Sequence, residues 1–511
     1  MTDWTSGYRA DIDYTFGYYP ELNPARTRLA LAYAGLRAPN FESSCELGFG
    51  QGLSIVFHSV GSSCAWYGTD FNPSQASFAK DLLADRDKAS KLFDDSFEQL
   101  KSRTDLPNFD FIGLHGIWSW ISDDNREFIT RLIADNLSPG GVVYSSYNTM
   151  PGWSAFAPIR HLMTEHVEKL GSTGQGIVKS IDQSIEFTKS FLDVNPVYKL
   201  ANPTISERLE KLSNHDRQYL AHEYFNRDWN PMHFAEIAEW FEGAKLSFAC
   251  SADFLDSIWA INLTKEQFSF LQQIPDPSYR QSVRDFMVNQ QFRKDYWVKG
   301  SVSLNGVERS EVLRETRVVL LKPVQDVSLK LKRGREINLN PDVYKPILEA
   351  LQSHLPTSIG ELEIELKDQN ISISQIVEAV MILIGSGQAD CARSEEEIEA
   401  SKSDVSKLNR RITSKAVGDG KLRFLASPVT GGGYPIGRIQ QLFLVELKDG
   451  YTKADDLAVR VWGILERQGE KLVKEGAALE TKGENLEELR SLAKEFLAKE
   501  VDVLKGLQID L

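Results

Sequence analysis

A carboxylate placed just ahead of a run of glycines can bring a cation against bare backbone. The stretch Cys45–Gly52, CELGFGQG, has that form, with Glu46 followed by Gly48, Gly50 and Gly52. Glycine lacks a Cβ, so the chain there can turn tightly and approach a ligand closely. The helix expected next offers unpaired N–H groups at its start. A dinucleotide enzyme would carry G-x-G-x-x-G and aim those donors at a pyrophosphate. Here the spacing is G-x-G-x-G, and Glu46 suits a positive ligand better than a phosphate. S-adenosylmethionine, with an ammonium and a sulfonium and no phosphate, meets that demand.

Three further stretches follow in order. Asp70 closes a strand twenty residues after Gly50, where a carboxylate can accept hydrogen bonds from ribose hydroxyls. Asp95, Ser96 and Phe97 offer an acceptor and an aromatic plane to an adenine, and Asp95 and Ser96 equally suit the cap of the next helix. LHGIWSW, with His115, Gly116, Trp118 and Trp120, ends a strand at the edge where ligands sit in open α/β sheets.

The elements that must position these residues read as alternating β and α units from Ser43 to Asn148, which implies a parallel sheet with helices on both faces. A helix over 24–36 precedes them. Residues 152–242 carry helical patterns only. Strands return at 245–252 and 295–304, so the helical part reads as an insertion over the ligand edge of the sheet. From about 305 the chain is more charged, with three helices and a short strand (QADCA) that suggest a winged helix. The expected domains are 1–165, 166–242, 243–304 and 305–511. The third of those C-terminal helices carries no Lys or Arg and the second is acidic, which points to protein contact or homodimer formation rather than a DNA reader. The glycine-rich LASPVTGGGYPIG (425–437) lacks the ending of a P-loop and reads as a structural turn. The tail from Asn485 reads as one amphipathic helix packed on the domain.

With 511 residues, 42% of them hydrophobic and 25% charged, the chain can build several cores. Its 58 basic and 72 acidic residues give a net charge of −14, which argues against sequence-independent binding of nucleic acid or anionic lipid. Four cysteines without a CxxC pair suggest buried thiols in a cytoplasmic protein. Residues 1–16 have no leader pattern, and no apolar run is long enough to span a membrane. His222, Glu223 and His233 do not form HExxH, so no metal is expected.

Several blocks together resemble one bacterial family: YTFGYYPELNP (14–24), ELGFGQG (46–52), YGTDFNP (67–73), DDSFEQL (94–100), FDFIGLHGIWSW (109–120), SYNTMPGW (146–153), AHEYFNRDWNPMHF (221–234) and RDFMVNQQFRKDYWVKG (284–300). They are similar to class I S-adenosylmethionine-dependent methyltransferases that carry a methyltransferase regulatory domain, including rickettsia-type lysine methyltransferases acting on an outer-membrane protein. The resemblance implies a Rossmann-like sheet and S-adenosylmethionine as cofactor. It assigns Glu46, Gly48, Gly50 and Gly52 to the methionine end, Asp70 and Phe71 to the ribose and one adenine face, and Asp95, Ser96 and Phe97 to adenine. His115 and Gly116 would lie beside the sulfonium, with Tyr18 and Tyr19 closing over the cofactor or serving as core aromatics.

Methyl transfer to nitrogen needs alignment and dryness rather than a metal. Trp118, Trp120, Tyr147 and Trp153 are the expected walls of an acceptor pocket. Asn148 resembles in position the polar residue that orients an amine, although the [DN]PP[YF] tetrapeptide is absent, which disfavours nucleic-acid bases. His115 reads as a proton acceptor or as a backbone-bonded strand-end histidine. His222 and Glu223 read as pocket residues or as a helix contact. The leading expectation is methylation of lysine in a protein substrate. The alternatives are a saccharide, lipid or small-metabolite acceptor, and a non-catalytic regulator that binds the cofactor; a nicotinamide dehydrogenase is more distant.

Overall fold

The computed structural model describes residues 15–83, 90–171 and 176–510. Residues 1–14, which hold most of the stretch from which the lack of a leader was read, and residues 84–89 within the alternating β and α units lie outside the described residues. The first half alternates as expected: α1 Pro24–Tyr33, β1 Ser43–Leu47, α2 Leu53–Val60, β2 Ala65–Thr69, α3 Pro73–Leu82, β3 Lys91–Phe93, α4 Phe97–Lys101, β4 Phe109–Leu114, α5 Asp123–Asn136 and β5 Leu137–Asn148. Local chemistry sets the helix starts. Pro24 and Pro73 open α1 and α3, and the side chains of Asn23 and Asn72 accept backbone N–H groups there. Ser96 and Ser122 cap α4 and α5.

Seven strands form one sheet in the order β3-β2-β1-β4-β5-β7-β6, where β6 is Leu246–Ser251 and β7 is Phe292–Lys299. The first five are parallel, while β7 runs antiparallel to both β5 and β6. The chain turns back at β1, so the crevice outside the carboxyl ends of β1 and β4 is a topological switch point. Period-two alternation sends Phe111, Val142 and Tyr144 to one face, and Ile112, Leu114 and Val143 to the other. The last strand was expected at 295–304; it starts three residues earlier and stops at Lys299. The reason is charge. Arg293 looks like a surface residue, yet it is buried in the strand with its guanidinium on Asp285 (2.6 Å) and Asp295 (2.7 Å).

Residues 157–242 form α6 Ala157–Leu170, α7 Ile177–Asp193, α8 Val197–Ala201, α9 Ile205–Ser213, α10 Arg217–Tyr224 and α11 Phe234–Glu242. Helices α6–α10 share a core of their own around Phe156, Met163, Ile181 and Leu220. The insertion is stitched to the sheet edge, where Asn230 N–H donates to the Ser119 carbonyl (2.7 Å) and Met232 N–H to that of Asn148 (3.1 Å).

In the C-terminal part the three expected helices fall at Pro341–Ala350, Ile359–Glu365 and Ile373–Gly385, followed by the strand Ala389–Ala392. Its sheet partner, Arg317–Leu320, comes from before the first of these helices and also pairs with Thr357–Ser358. The glycine-rich stretch is a hairpin of Phe424–Ser427 and Gly432–Pro435 that lies on α2. The tail is helical from Lys482, not Asn485, because Thr481 and Glu484 form a capping box there. Its apolar residues Leu489, Ala493, Phe496 and Leu504 are buried. One continuous core joins α1–α3 to this C-terminal domain. The four cysteines are free; Cys45, Cys64 and Cys391 are buried and Cys250 is half-buried. Among the described residues no helix is long and apolar enough to cross a membrane.

Candidate functional site

A cavity of about 140 Å³ opens where β1, β2 and β4 end. Its floor is the glycine loop. Gly48 and Gly50 have φ of +67° and +58°, which glycine adopts without strain. A Cβ on Gly48 would lie 2.3 Å from Ile117 Cδ1, so this loop also needs the missing side chain for room.

Two carboxylates face the cavity from this floor. Asp70 accepts N–H bonds from Gly50 (2.8 Å) and Asn72 (3.0 Å), and the Gln75 amide nitrogen turns toward it at 2.9 Å. Burial pushes its carboxyl up to about 6 in spite of those donors. Glu46 is 2% exposed, and its Oε2 is buried with no hydrogen-bond partner. Burial, helped by Asp70, pushes it up to about 8. A cation beside it would restore its ionised form. An ammonium meets what this floor lacks; a pyrophosphate would not.

Asp95, Ser96, Phe97 and Phe71 line the same space. Asp95 accepts from Arg103 (2.9 Å), and Ser96 caps α4 through Gln99. Cap and cavity wall are therefore the same residues. On the opposite side Gly116, at φ +64°, donates its N–H to Ser146 Oγ (2.8 Å). His115 stacks on Tyr19 at 3.5 Å between ring centroids and 19° between planes. Its Nδ1 is 2.8 Å from the Tyr144 hydroxyl. Burial lowers His115 to about 3, so the ring is neutral at physiological pH and a weak base. Trp120 lines the cavity, and its Nε1–H donates to the Glu223 carbonyl (3.2 Å).

Eight expected site residues do not line this cavity. Tyr18 points away from it, with its hydroxyl 3.2 Å from His58 Nε2. Gly52 starts α2, and a Cβ there would meet Ala79 at 2.6 Å, so its role is to let α2 and α3 pack. Trp118 and Tyr147 are wholly buried on the other face of the sheet. There Trp118 packs against Phe241 (4.9 Å), and the Tyr147 hydroxyl donates to Asp295 (2.7 Å). Trp153 belongs to the core of the insertion, with Trp229 at 5.0 Å and Arg208 over its ring at 4.0 Å. Asn148 ties β5 to Ser119 and Met232 through its backbone. His222 is buried in α10, and its carbonyl accepts from Asn226. Glu223 is half-buried behind Trp120, where burial pushes its carboxyl up to about 7.

The cavity contains residues that sequence reasoning passed over. Phe49, Ile117 and Ile121 add apolar wall, and Ser122, Asn125 and Asp228 add polar groups. Ser122 is a helix cap in sequence and gives no other sign. Asp228 lies within the AHEYFNRDWNPMHF block, and reaches the cavity only because the insertion folds back over it.

The chain is similar to several known proteins. A family model described as a predicted methyltransferase regulatory domain matches residues 216–299, from the end of the insertion through β7. The uncharacterised protein sll1526 of Synechocystis sp. is 37% identical over 99% of each chain. Protein RP789 of Rickettsia prowazekii is 24% identical over 96% of this chain and 92% of its own. Among solved structures, PKMT2 from Rickettsia typhi in complex with AdoHcy superposes with a TM-score of 0.70 over 97% of this chain and 99% of its own, at 18% identity.

Proposed function

We propose that this chain, which belongs to one family with sll1526 of Synechocystis sp., is a class I methyltransferase with a methyltransferase regulatory domain and methylates lysine side chains of a protein substrate with S-adenosylmethionine. The observation that carries the cofactor is the pairing of an unpartnered, buried Glu46 carboxylate oxygen with a positive-φ glycine floor in one cavity. Glu46 and the Gly48–Gly50 backbone would hold the methionine end, Asp70 the ribose, and Asp95, Phe71 and Phe97 the adenine. AdoHcy, present in the rickettsial PKMT2 structure, is the demethylated form of this cofactor.

When bound, S-adenosylmethionine supplies a methyl on a sulfonium, activated for in-line displacement. The chain's residues need only align an acceptor, keep it neutral and exclude water. A lysine amine has an ordinary pKa of about 10.4, so it must be desolvated before it attacks. Tyr19 and Trp120 provide apolar wall for that, while Asp228, which pairs with Arg227 at 3.0 Å, puts a carboxylate on the cavity wall to draw the incoming ammonium. These features, together with the family, support lysine over a neutral acceptor. The His115 ring, neutral at physiological pH and stacked on Tyr19, seats that wall.

The test is calorimetric titration with S-adenosylmethionine and, separately, NAD, followed by tritiated-methyl labelling of a cell lysate. Micromolar binding of the first alone and label in protein lysine are expected. Label in an extractable sugar, lipid or metabolite would replace the acceptor and keep the enzyme. Binding without turnover would make the protein a cofactor-binding regulator.

A further inference from the structure

Tyr18 and Tyr19 are neighbours on an extended stretch and face opposite ways. Tyr19 lines the cavity and stacks on His115. Tyr18 is packed beneath the C-terminal hairpin, with Phe57, His58 and Phe424 at 5.7, 5.4 and 5.8 Å between ring centroids. The hairpin fits the tyrosine so closely that side chains are excluded. A Cβ on Gly432 would lie 2.0 Å from the Tyr18 hydroxyl oxygen. One on Gly433 would lie 2.6 Å from Phe57 and 3.1 Å from Tyr18 Cγ. Gly432 and Gly433 of SPVTGGG, which the cofactor reading leaves unexplained, are therefore a seat for Tyr18, while Gly431 makes room for Arg393.

The seat is anchored on both sides. The Asn23 amide donates to the Thr430 carbonyl at 2.9 Å. Arg393, from the C-terminal domain, donates to the carbonyl of Gly61 at the end of α2. Arg26 of α1 meets Asp390 at 3.7 Å, both buried. Residues 15–19 have no strand partner of their own; the Tyr19 N–H donates to Ser54 Oγ (2.9 Å) and its carbonyl accepts from Leu22 N–H (3.2 Å). Tyr19 follows Tyr18 directly in the chain, so the grip on Tyr18 fixes one side of the backbone that presents the Tyr19 ring.

We propose that the hairpin Phe424–Pro435 is a working part of the cofactor cavity: by gripping Tyr18 it holds Tyr19 against His115 over the site. Tyr18 and Gly432 are positioning residues in this arrangement. The C-terminal domain, 400 residues away in sequence, becomes a condition for cofactor affinity, and anything that lifts the hairpin loosens the cavity. The inference rests on the cofactor reading above.

The test uses the full chain and calorimetry with S-adenosylmethionine. Gly432→Ala displaces Tyr18 and should weaken the cofactor about tenfold, the usual scale for one forced methyl in a packed site. Tyr18→Phe in the Gly432→Ala background removes the clashing oxygen and should return affinity to within about threefold of Tyr18→Phe alone. A role confined to stability would lower the unfolding midpoint without moving Kd, which would overturn the proposal. So would a Gly432→Ala defect in binding that Tyr18→Phe leaves uncorrected. If Gly432→Ala does not fold, Tyr18→Phe, which adds no atom, decides alone: a two- to threefold rise in Kd from the lost His58 contact supports the grip, and an unchanged Kd overturns it. If the unaltered chain does not bind S-adenosylmethionine, the cofactor reading fails and this inference with it. If it binds and all variants bind equally well, only the grip is lost.

Discussion

Two glycine clusters meet the same helix, α2, for different reasons. Gly48, Gly50 and Gly52 lead into its N-terminus at φ of +67°, +58° and +76°. Gly431, Gly432 and Gly433 lie along its side, and only Gly431 has a positive φ, +66°. The first cluster is glycine because the backbone is left-handed there; the second is mainly glycine because another side chain occupies the space. Gly48 and Gly50 open the chain to the cavity, with Gly52 making room for α3, whereas Gly432 and Gly433 make room for Tyr18. A glycine-rich stretch in sequence thus does not by itself declare a ligand. What separates these two is the company: Glu46 and Asp70 surround the first, and aromatic rings surround the second.

The contrast is broken most sharply at Gly48. Gly48→Val should lower S-adenosylmethionine affinity more than a hundredfold in calorimetry, because both the φ and the 2.3 Å approach to Ile117 forbid the side chain. Making room with Ile117→Ala should not restore binding, since the backbone conformation remains wrong. Restoration would mean that the first loop, like the second, is only a matter of space.

Glu46→Gln should cost about thirtyfold, the order of a charge-assisted contact in a dry site. Its pH dependence sharpens the point. Cation binding needs the ionised carboxylate, whose value without ligand is about 8. Affinity of the unaltered chain should therefore rise as pH climbs from 6 toward 8, and the glutamine variant should lose this rise. The ligand-free protein should show the opposite sign. An acid raised from 4.5 to about 8 contributes stability that is full below 4.5 and is lost as pH rises through about 8. Glu46→Gln should thus unfold about 5 °C above the unaltered chain at pH 9 and at a similar temperature at pH 5, read by thermal melts. Equal pH dependence of the two chains would remove Glu46 from the site.

The sheet and the glycine end of the site were legible because their signals are local. A strand, a carboxylate and spaced glycines fit within ten residues, and Asp70 and Asp95 repeat the pattern at successive strand ends. The aromatic end was not. Trp118 and Trp120 are two residues apart and both at the strand end, yet only Trp120 reaches the cavity. Trp118 is drawn the other way by Trp240 and Phe241, more than a hundred residues on. Asp228 arrives by the same long-range folding. The strand Phe292–Lys299 was misplaced because four of its eight residues are charged (Arg293, Lys294, Asp295 and Lys299), and Asp285 and Glu21, the partners of Arg293 and Lys294, are invisible to periodicity.

Tyr147 gives the smallest expected effect on binding, and its smallness is the point. It closes the SSYN strand end where an acceptor wall was expected, yet it is wholly buried with its hydroxyl on Asp295. Tyr147→Phe removes that donor, while Asp295 keeps the Arg293 Nε contact at 2.7 Å. The loss should be about 1–3 kcal/mol of stability, the cost of taking one partner from a buried hydrogen bond. Cofactor affinity should stay within twofold, and so should the methylation rate at saturating substrate. Glu46→Gln should show the reverse, with binding weakened about thirtyfold and the ligand-free fold no weaker. A Tyr147→Phe variant that melts normally but methylates slowly would return this tyrosine to the acceptor pocket and require the insertion to rearrange on substrate binding. Normal turnover with a lower melting point would leave the division as drawn, with β5 serving the core on this face and Trp120 alone among the four expected aromatics facing the cavity.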